Sequence, residues 1–316
     1  MKMNPTHRII MPLAAALLAI ALAAGCSTAK KTGRASAKAQ SSVPNPDFYK
    51  VGHRGTRGLM PENTIPSFEK ALEIGANTIE CDVHITRDGK VMIYHDASPT
   101  PSYTTFADGS DIPPAERKKY TWYKLNYDEI RKFVIGMKDY PAFPQQQRIA
   151  TYAPLMGEMI DSVEAFTRAH DLPEAFYLVE IKSGPGTDGV EQPNPEEYMK
   201  ILMPVLNAKH LGNRLIVQSF DERPLQIIHR DYPNIRLGFL LSNKKTFEEN
   251  LQTVGFTPEF YNPSFNLVTP ELVKACHDKG IKIVPWTVDS EADVKKMKAL
   301  GVDGIITDYP NYLQGL

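Results

Sequence analysis

The chain has 316 residues, of which 42% are hydrophobic and 23% are charged, an ordinary globular composition with enough length for one large core. Its formal net charge of -1 gives no general attraction to nucleic acid or to anionic lipid. We therefore expect no nucleic-acid partner and only a local affinity for phosphate groups. The first 45 residues depart from this average composition.

The N-terminal segment has the pattern of an export signal. After a basic start, residues 9–24 are uncharged and apolar, and this run is short for a membrane span, which needs roughly 20 residues. The following string Leu22-Ala23-Ala24-Gly25-Cys26 resembles the bacterial lipobox, in which the cysteine is lipidated and becomes the new N-terminus. We expect residues 1–26 to be a lipoprotein signal that includes Cys26, with a plain signal peptide as the alternative.

Residues 27–46 are rich in Ser, Ala, Lys and Thr and lack apolar periodicity, which predicts a flexible tether. Ser27, in place of Asp, resembles the outer-membrane sorting signal of lipoproteins. We therefore expect an exported protein with an N-terminal lipid anchor, in the outer membrane and facing the periplasm of a Gram-negative bacterium.

From residue 47 onward, apolar strand-like runs alternate with amphipathic helical patterns. The predicted parallel strands are 50–53, 78–85, 176–182, 214–220, 236–241, 260–262, 282–288 and 304–307. The predicted helices are 65–74, 155–169, 195–208, 223–231, 245–253, 270–279 and 291–300. Eight strands with intervening helices predict an α/β fold, a TIM-type (β/α)8 barrel over residues 47–316.

A hairpin and an insertion follow the second strand. The turn signal Arg87-Asp88-Gly89-Lys90 predicts a returning strand, and counting outward from this turn places Asp82 opposite His95. Residues 97–150 then carry little periodicity and many Pro, Tyr, Asp and Lys residues. A stretch this long without clear elements is usually functional or disordered, and here it interrupts the barrel.

Glu80 and Asp82 lie two residues apart on a predicted strand, so both carboxylates face one side. An inward pair of acids would resist ionisation unless a cation accompanied it, and a divalent metal meets that need. All-oxygen ligation favours Mg²⁺ or Ca²⁺ over zinc. The alternative is a pair of acids bonded to basic residues of the barrel. Cys81, between them, should point outward as a buried free thiol, with a disulfide to Cys276 as the alternative.

Basic and imidazole side chains lie at the ends of the same strands, where such barrels build their sites. His53 and Arg54 end the first strand, and the planar guanidinium of Arg54 can bind two phosphate oxygens at once. Glu180 and Lys182 repeat the two-residue spacing on the third strand, so Lys182 can neutralise phosphate beside the acids. With His95, the set offers two imidazoles for proton transfer near neutral pH, although a strand-end histidine can also be structural.

These motifs occur in a fixed order: His53-Arg54-Gly55, Pro61-Glu62-Asn63-Thr64, Glu80-Cys81-Asp82 and His95-Asp96. Together they resemble the glycerophosphodiester phosphodiesterase family, over roughly residues 48–312. The resemblance implies a barrel of the phospholipase C-like phosphodiesterase kind, with residues 97–150 as an inserted cap over its mouth. It also implies Glu180 as the third metal ligand, and Glu62 at the phosphate-binding site, with a structural role for Glu62 as the alternative.

Three further strand-end strings resemble the family: Gln218-Ser219-Phe220-Asp221, Pro285-Trp286-Thr287-Val288 and Thr307-Asp308-Tyr309-Pro310. We expect Trp286 to form an apolar wall for the glycerol carbons of a substrate, with barrel filling as the alternative. Asp308 is expected to anchor backbone where the barrel closes. His84 is expected to be exposed near the hairpin tip.

We therefore expect metal-dependent hydrolysis of glycerophosphodiesters to sn-glycerol 3-phosphate and an alcohol, with His53 and His95 as acid and base. Which histidine takes which role is open, as is the nucleophile, either water or the glycerol 2-hydroxyl by way of a cyclic phosphate. A phosphatidylinositol-type phospholipase is the nearest alternative enzyme. A lipid-anchored binding protein without catalysis is the alternative from another class. The head group, the native metal and the oligomeric state are not specified by the sequence.

Overall fold

The computed structural model describes residues 42–316. The predicted signal segment with Cys26, and residues 27–41 of the predicted tether, lie outside the described residues. Residues 42–46 do not follow the prediction of a flexible tether, because the Val43 N–H donates to Asn213 Oδ1 at 3.2 Å and the Val43 carbonyl accepts from Asn213 Nδ2 at 2.6 Å. None of the helices within residues 42–316 has the length and apolar character required to cross a membrane.

Strands and helices alternate along the barrel, as predicted. The strands are β1 Tyr49–Gly52, β2 Thr78–Ile85, β3 Val91–Ile93, β4 Thr104–Phe106, β5 Phe133–Ile135, β6 Phe176–Ile181, β7 Leu215–Ser219, β8 Arg236–Leu241, β9 Phe260–Pro263, β10 Lys282–Ile283 and β11 Gly304–Thr307. The α-helices are α1 Ile65–Glu73, α2 Tyr127–Ile130, α3 Met156–Ala169, α4 Pro195–Asn207, α5 Glu222–Asp231, α6 Phe247–Val254, α7 Pro270–Asp278 and α8 Glu291–Leu300.

The parallel strands run β1-β2-β6-β7-β8-β9-β10, and β11 pairs with β1 on its other side. Backbone hydrogen bonds close the remaining gap, from the Asp303 N–H to the Ile283 carbonyl at 2.9 Å and from the Ile306 N–H to the Pro285 carbonyl at 3.0 Å. The predicted eight-stranded barrel is confirmed. The seventh strand is shorter than predicted, because Pro285 has no N–H to donate to a continuing ladder.

Side chains alternate between two apolar layers. One layer fills the barrel interior and consists of Tyr49, Val51, Phe176, Leu178, Ile216, Phe260, Val284 and Ile306. The alternate positions pack against the helices, and Cys81 lies there with its Sγ 3.9 Å from Met156 Sδ. Cys81 and Cys276 are buried free thiols, so the disulfide alternative is wrong.

The β2–β3 hairpin has a different register from the predicted one. Val83 pairs with Ile93, and the Tyr94 N–H donates to the Asp82 carbonyl at 3.0 Å, so Asp82 lies opposite Tyr94 and not His95. The cause is a three-residue loop in which Gly89 takes a φ of +68°, where a two-residue loop was assumed.

The insertion, residues 97–150, is folded around its own aromatic core. Strands β4 and β5 pair antiparallel, and Trp122 and Phe133 pack edge to face with ring centroids 5.6 Å apart. The insertion contacts the loop after β1, since Gln146 Nε2 donates to the Arg57 carbonyl at 2.7 Å. It thereby contacts the loops at the barrel mouth, where the predicted cap was expected, but none of its residues lines the cavity described below.

Candidate active site

A cavity of about 220 Å³ opens at the C-terminal ends of the barrel strands. Its lining brings together most of the predicted site residues, His53, Arg54, Glu80, His95, Glu180, Lys182 and Trp286. Asp82 and Glu62 are buried behind this surface. The sequence positions that end separate strands are therefore neighbours around one cavity, as the barrel geometry requires.

Glu80, Asp82 and Glu180 each offer a carboxylate oxygen, and these three oxygens lie within 4.8 Å of one another. Parallel pairing of β2 with β6 places Asp82 beside Glu180. Asn63 Nδ2 donates to Asp82 Oδ2 at 2.7 Å, and the Arg54 N–H donates to Glu80 Oε2 at 2.9 Å. The second oxygen of Glu80, Oε1, is buried and has no hydrogen-bond partner within residues 42–316.

The electrostatics of the three acids differ. Burial, together with the charges of Asp82 and Glu180, raises the pKa of Glu80 well above its ordinary value. Burial also raises the pKa of Glu180, against the opposing charge of Lys182. Burial alone would raise the pKa of Asp82, but the charges of Lys182, His95 and Arg54 hold it well below the ordinary value.

This donor set fits a divalent cation. One buried oxygen of Glu80 has no partner within residues 42–316, and the pKa values of Glu80 and Glu180 are raised. Clustered carboxylates show both features when the nearby positive charge is too small to balance their negative charge. Basic residues also neutralise part of the negative charge, which was the alternative to a metal. Lys182 Nζ lies 2.8 Å from Glu180 Oε1 and 3.4 Å from Asp82 Oδ1. Oxygen-only ligation matches hard ions such as Mg²⁺ or Ca²⁺.

His53 is held by a buried aspartate. His53 Nδ1 donates to Asp308 Oδ1 at 2.7 Å, and Arg57 binds the same carboxylate through Nε at 3.0 Å and Nη2 at 2.7 Å. Burial lowers the pKa of His53, partly opposed by the charge of Asp308. A lowered pKa favours the neutral imidazole, in which Nδ1 donates to Asp308 and Nε2 is an acceptor.

His95 is held by a second carboxylate in the same way. His95 Nδ1 donates to Asp96 Oδ1 at 2.7 Å, and Arg117 Nη2 donates to Asp96 Oδ2 at 2.7 Å. Trp122 Nε1 donates to the Asp96 carbonyl at 2.8 Å, so the insertion fixes this pair. His84 Nε2 donates to the His95 carbonyl at 3.0 Å.

Arg54 lies at a tight turn that directs it into the mouth. Its φ is +50° and that of Gly55 is +85°, left-handed conformations that a strand cannot continue. Arg54 Nη1 donates to Glu62 Oε1 at 2.7 Å, and Tyr103 of the insertion donates to the same oxygen at 3.2 Å. Glu62 therefore holds Arg54 and does not line the cavity, which favours its structural alternative over the predicted contact with phosphate.

A sequence profile of the Glycerophosphoryl diester phosphodiesterase family matches residues 53–312, most of the chain. The chain belongs to this family. A glycerophosphodiester phosphodiesterase of Caldanaerobacter subterraneus subsp. tengcongensis is 32% identical over 271 residues, which are 84% of this chain and 96% of the relative. A glycerophosphodiester phosphodiesterase of Bacillus subtilis is 27% identical over 288 residues, 87% of this chain and 89% of the relative.

Solved structures share the barrel of this glycerophosphodiesterase family member. A protein of Silicibacter pomeroyi described as a glycerophosphoryl diester phosphodiesterase is 29% identical, with a TM-score of 0.75 over 85% of this chain and 93% of its own. A phosphodiesterase of Oleispira antarctica, solved in complex with the product sn-glycerol-3-phosphate, has a TM-score of 0.65 at 23% identity, over 84% and 94% of the two chains. At 23% identity, the similarity to the Oleispira antarctica protein supports the fold alone.

Two expectations about this family member were wrong. The carboxylate of Asp308 was expected to anchor backbone, but it binds the side chains of His53 and Arg57. His84 is buried and bonded to the His95 carbonyl, where exposure was expected. Trp286 was predicted either to form a wall of the site or to fill the barrel, and it does both. It lines the cavity and also packs against the apolar layer of the barrel interior.

Arg57 and Asp308 were missed as residues of the site. Arg57 lies three positions after Arg54, in the same βα loop, which is a weak signal. The stronger signal was topological. A closed barrel places the eighth strand beside the first, and β11 pairs with β1 through Thr307 and Gly52, so the acid after β11 lies beside His53.

Proposed function

We propose that this family member hydrolyses glycerophosphodiesters to sn-glycerol 3-phosphate and an alcohol. The observation that carries the proposal is the pair of carboxylate-held histidines, His53 and His95, in one cavity with Arg54, Lys182 and the acid triad. The names of the relatives agree with this reaction.

Glu80, Asp82 and Glu180 would hold a divalent ion, Mg²⁺ or Ca²⁺. When bound, such an ion polarises a phosphoryl oxygen and offsets the charge that develops on it. Arg54 and Lys182 line the same cavity and bind the remaining phosphate oxygens, Arg54 through its planar fork and Lys182 as a point charge.

The two histidines divide the proton transfers. His53 is the base, because its lowered pKa leaves Nε2 free to accept a proton from the nucleophile. His95 is the acid and gives a proton to the leaving alkoxide. The nucleophile is water or the glycerol 2-hydroxyl. In the second route the alcohol leaves first and a cyclic phosphate remains. Water then opens this cyclic phosphate with the roles reversed, because His95 takes the proton of the water and His53 returns its proton to the glycerol 2-oxygen.

The first test is activity on a glycerophosphodiester after exhaustive chelation. We expect turnover to disappear and to return with Mg²⁺ or Ca²⁺, because the acid triad supplies the binding site. Turnover that survives chelation would refute the metal role. A protein that binds the diester without cleaving it, with either ion supplied, would instead be the non-catalytic binding protein.

The second test separates the histidines. His53→Ala and His95→Ala should each lower kcat by roughly 10²–10⁴-fold on a natural diester. On the p-nitrophenyl ester of glycerol phosphate, whose leaving group needs no acid, only His95→Ala should recover. His170→Ala, at an exposed helix end, is the matched control. Equal recovery of both site variants would show that the division of roles is wrong.

We also propose that the protein is exported and carries lipid on Cys26. This proposal rests on the lipobox-like string and on Ser27. It places the enzyme on the periplasmic side of an outer membrane, where deacylated phospholipids would be its substrates.

A further inference from the structure

The insertion, residues 97–150, contacts the groups that hold both histidines, yet none of residues 97–150 lines the active-site cavity. A cap over the mouth, which the family resemblance implied, would place side chains against the substrate and would act on substrate binding. A segment that holds catalytic groups in place acts instead on the chemical step. The contacts of the insertion favour the second role.

The first group of contacts reaches His95 through Asp96. His95 Nδ1 lies 2.7 Å from Asp96 Oδ1, and the other oxygen, Oδ2, accepts from Arg117 Nη2 at 2.7 Å and from Thr100 Oγ1 at 2.8 Å. Trp122 is 1% exposed in the aromatic core of the insertion, and its Nε1 donates to the Asp96 carbonyl at 2.8 Å. The three donors all belong to the insertion, so the insertion fixes both the carboxylate and the backbone of the residue that orients His95.

The second group of contacts reaches His53 through Arg57. The carboxylate of Asp308 binds His53 with one oxygen and Arg57 with both. The ring of Phe143 covers the guanidinium, with Arg57 Cζ 4.6 Å from the ring centroid, and Gln146 Nε2 donates to the Arg57 carbonyl at 2.7 Å. An aromatic face attracts a guanidinium, so the insertion limits the movement of the arginine that holds Asp308.

The contact of Arg117 affects orientation more than stability. The side chains of Arg117 and Asp96 are 33% and 29% exposed, and an ion pair with this access to water contributes little to stability. Without Arg117, the Thr100 hydroxyl would be the remaining donor to Asp96 Oδ2 within residues 42–316, and the carboxylate could rotate away from His95 Nδ1. Loss of the arginine should therefore leave the protein folded but the imidazole less well placed.

We propose that the insertion positions both catalytic histidines from outside the cavity, Arg117 acting on His95 through Asp96, and Phe143 acting on His53 through Arg57. The proposal rests on the proposed hydrolysis and adds the role of the insertion in it. Neither Arg117 nor Phe143 lines the cavity, so neither is expected to bind the substrate. Substitution of these two positioning residues should therefore change kcat and not KM.

The test is a double-mutant cycle on the full chain with sn-glycero-3-phosphoglycerol as substrate and with Mg²⁺ or Ca²⁺ supplied. Arg117→Met should lower kcat by about 10- to 100-fold with little change in KM, because misplacement of a catalytic group by about 1 Å can cost about 10²-fold. In a His95→Ala background the same substitution should have no further effect, because the side chain that it orients is absent. On the p-nitrophenyl ester, Arg117→Met should show the same degree of recovery as His95→Ala.

A second cycle tests the contact with His53. Phe143→Leu keeps an apolar side chain and removes the aromatic face, and it should lower kcat by roughly 3- to 10-fold, the effect of one cation–π contact. This loss should disappear in a His53→Ala background. The matched control is Arg148→Met, the same substitution as in the first cycle at an exposed arginine of the insertion that pairs with Asp139 at 3.3 Å. It should leave kcat and KM unchanged.

The outcomes separate the two proposals. If Arg117→Met raises KM and keeps kcat, the insertion acts as a cap, and if kcat falls equally with and without His95, the defect is a general one. Either result refutes the positioning role while the hydrolysis stands. If the unsubstituted chain does not cleave the diester with either ion supplied, the proposed function fails and the positioning role fails with it. Thermal unfolding verifies that Arg117→Met is folded, and Thr100→Val, which removes the other donor to Asp96 Oδ2, repeats the cycle independently.

Discussion

Each candidate catalytic histidine is held by an aspartate that is itself held by an arginine, but the two pairs differ in solvent access. The Asp308 side chain is 0% exposed and that of Asp96 is 29% exposed. A buried carboxylate acts on its histidine with little screening by water. His53 is therefore the histidine whose proton affinity depends most on its partner.

This difference leads to a prediction for Asp308→Asn. The charge of Asp308 raises the pKa of His53 against the burial that lowers it, so its removal should lower that pKa further. A base works when unprotonated, and the acidic limb of kcat/KM should therefore move to lower pH. The plateau should fall by up to roughly 10²–10⁴-fold, the contribution of one general base.

The measurement is the pH profile of kcat/KM, which reports the free enzyme. Asp231→Asn, which removes an exposed carboxylate bonded to Arg230, should leave the profile unchanged. An acidic limb that moves to higher pH in Asp308→Asn would contradict the assignment of His53 as the base.

At the scale of elements, buried parallel strands were predicted well because they are continuous apolar runs between helical patterns. β2, β8 and β11 begin and end where predicted. The hairpin register was wrong by one residue, because the choice between a two-residue and a three-residue loop depends on the conformation of Gly89 and not on composition. The proximity of His95 to the acids therefore comes from the chain after β3 and not from strand pairing.

From its own residues the insertion was predicted only as an interruption of the barrel, since its aromatic residues follow no helical or strand period. Its prediction as a cap over the mouth came from the family resemblance. Its core forms between separate short segments, since Tyr103 and Trp122 both pack against Tyr94, which lies just before the insertion. Contacts between residues distant in sequence also limited the prediction of the site. The chemistry of His53, Glu80 and Asp82 was readable from local strings, but Asp308 lies 255 positions from His53. Partners of this kind become visible only when the barrel closes.

At the scale of the whole molecule, the proposed lipid anchor gives a prediction for Cys26→Ala. Without the acyl acceptor, the protein should leave the membrane fraction and be recovered in the soluble fraction, with its activity unchanged. Cell fractionation with an activity assay on each fraction is the measurement. Ser27→Asp is the companion variant, and it should remain membrane-bound but move from the outer to the inner membrane. A Cys26→Ala protein of mature size that stays in the membrane would refute the anchor.

The contact between Val43 and Asn213 has a practical consequence. Asn213 lies in the turn that enters β7, so the described chain joins the barrel at the N-terminal ends of the strands. The mouth with the active-site cavity is at the opposite ends of the same strands. An affinity tag, fusion partner or solid support joined directly at residue 42 is therefore attached away from the mouth. Enzyme coupled through that end should be immobilised with its substrate entrance open to bulk solution.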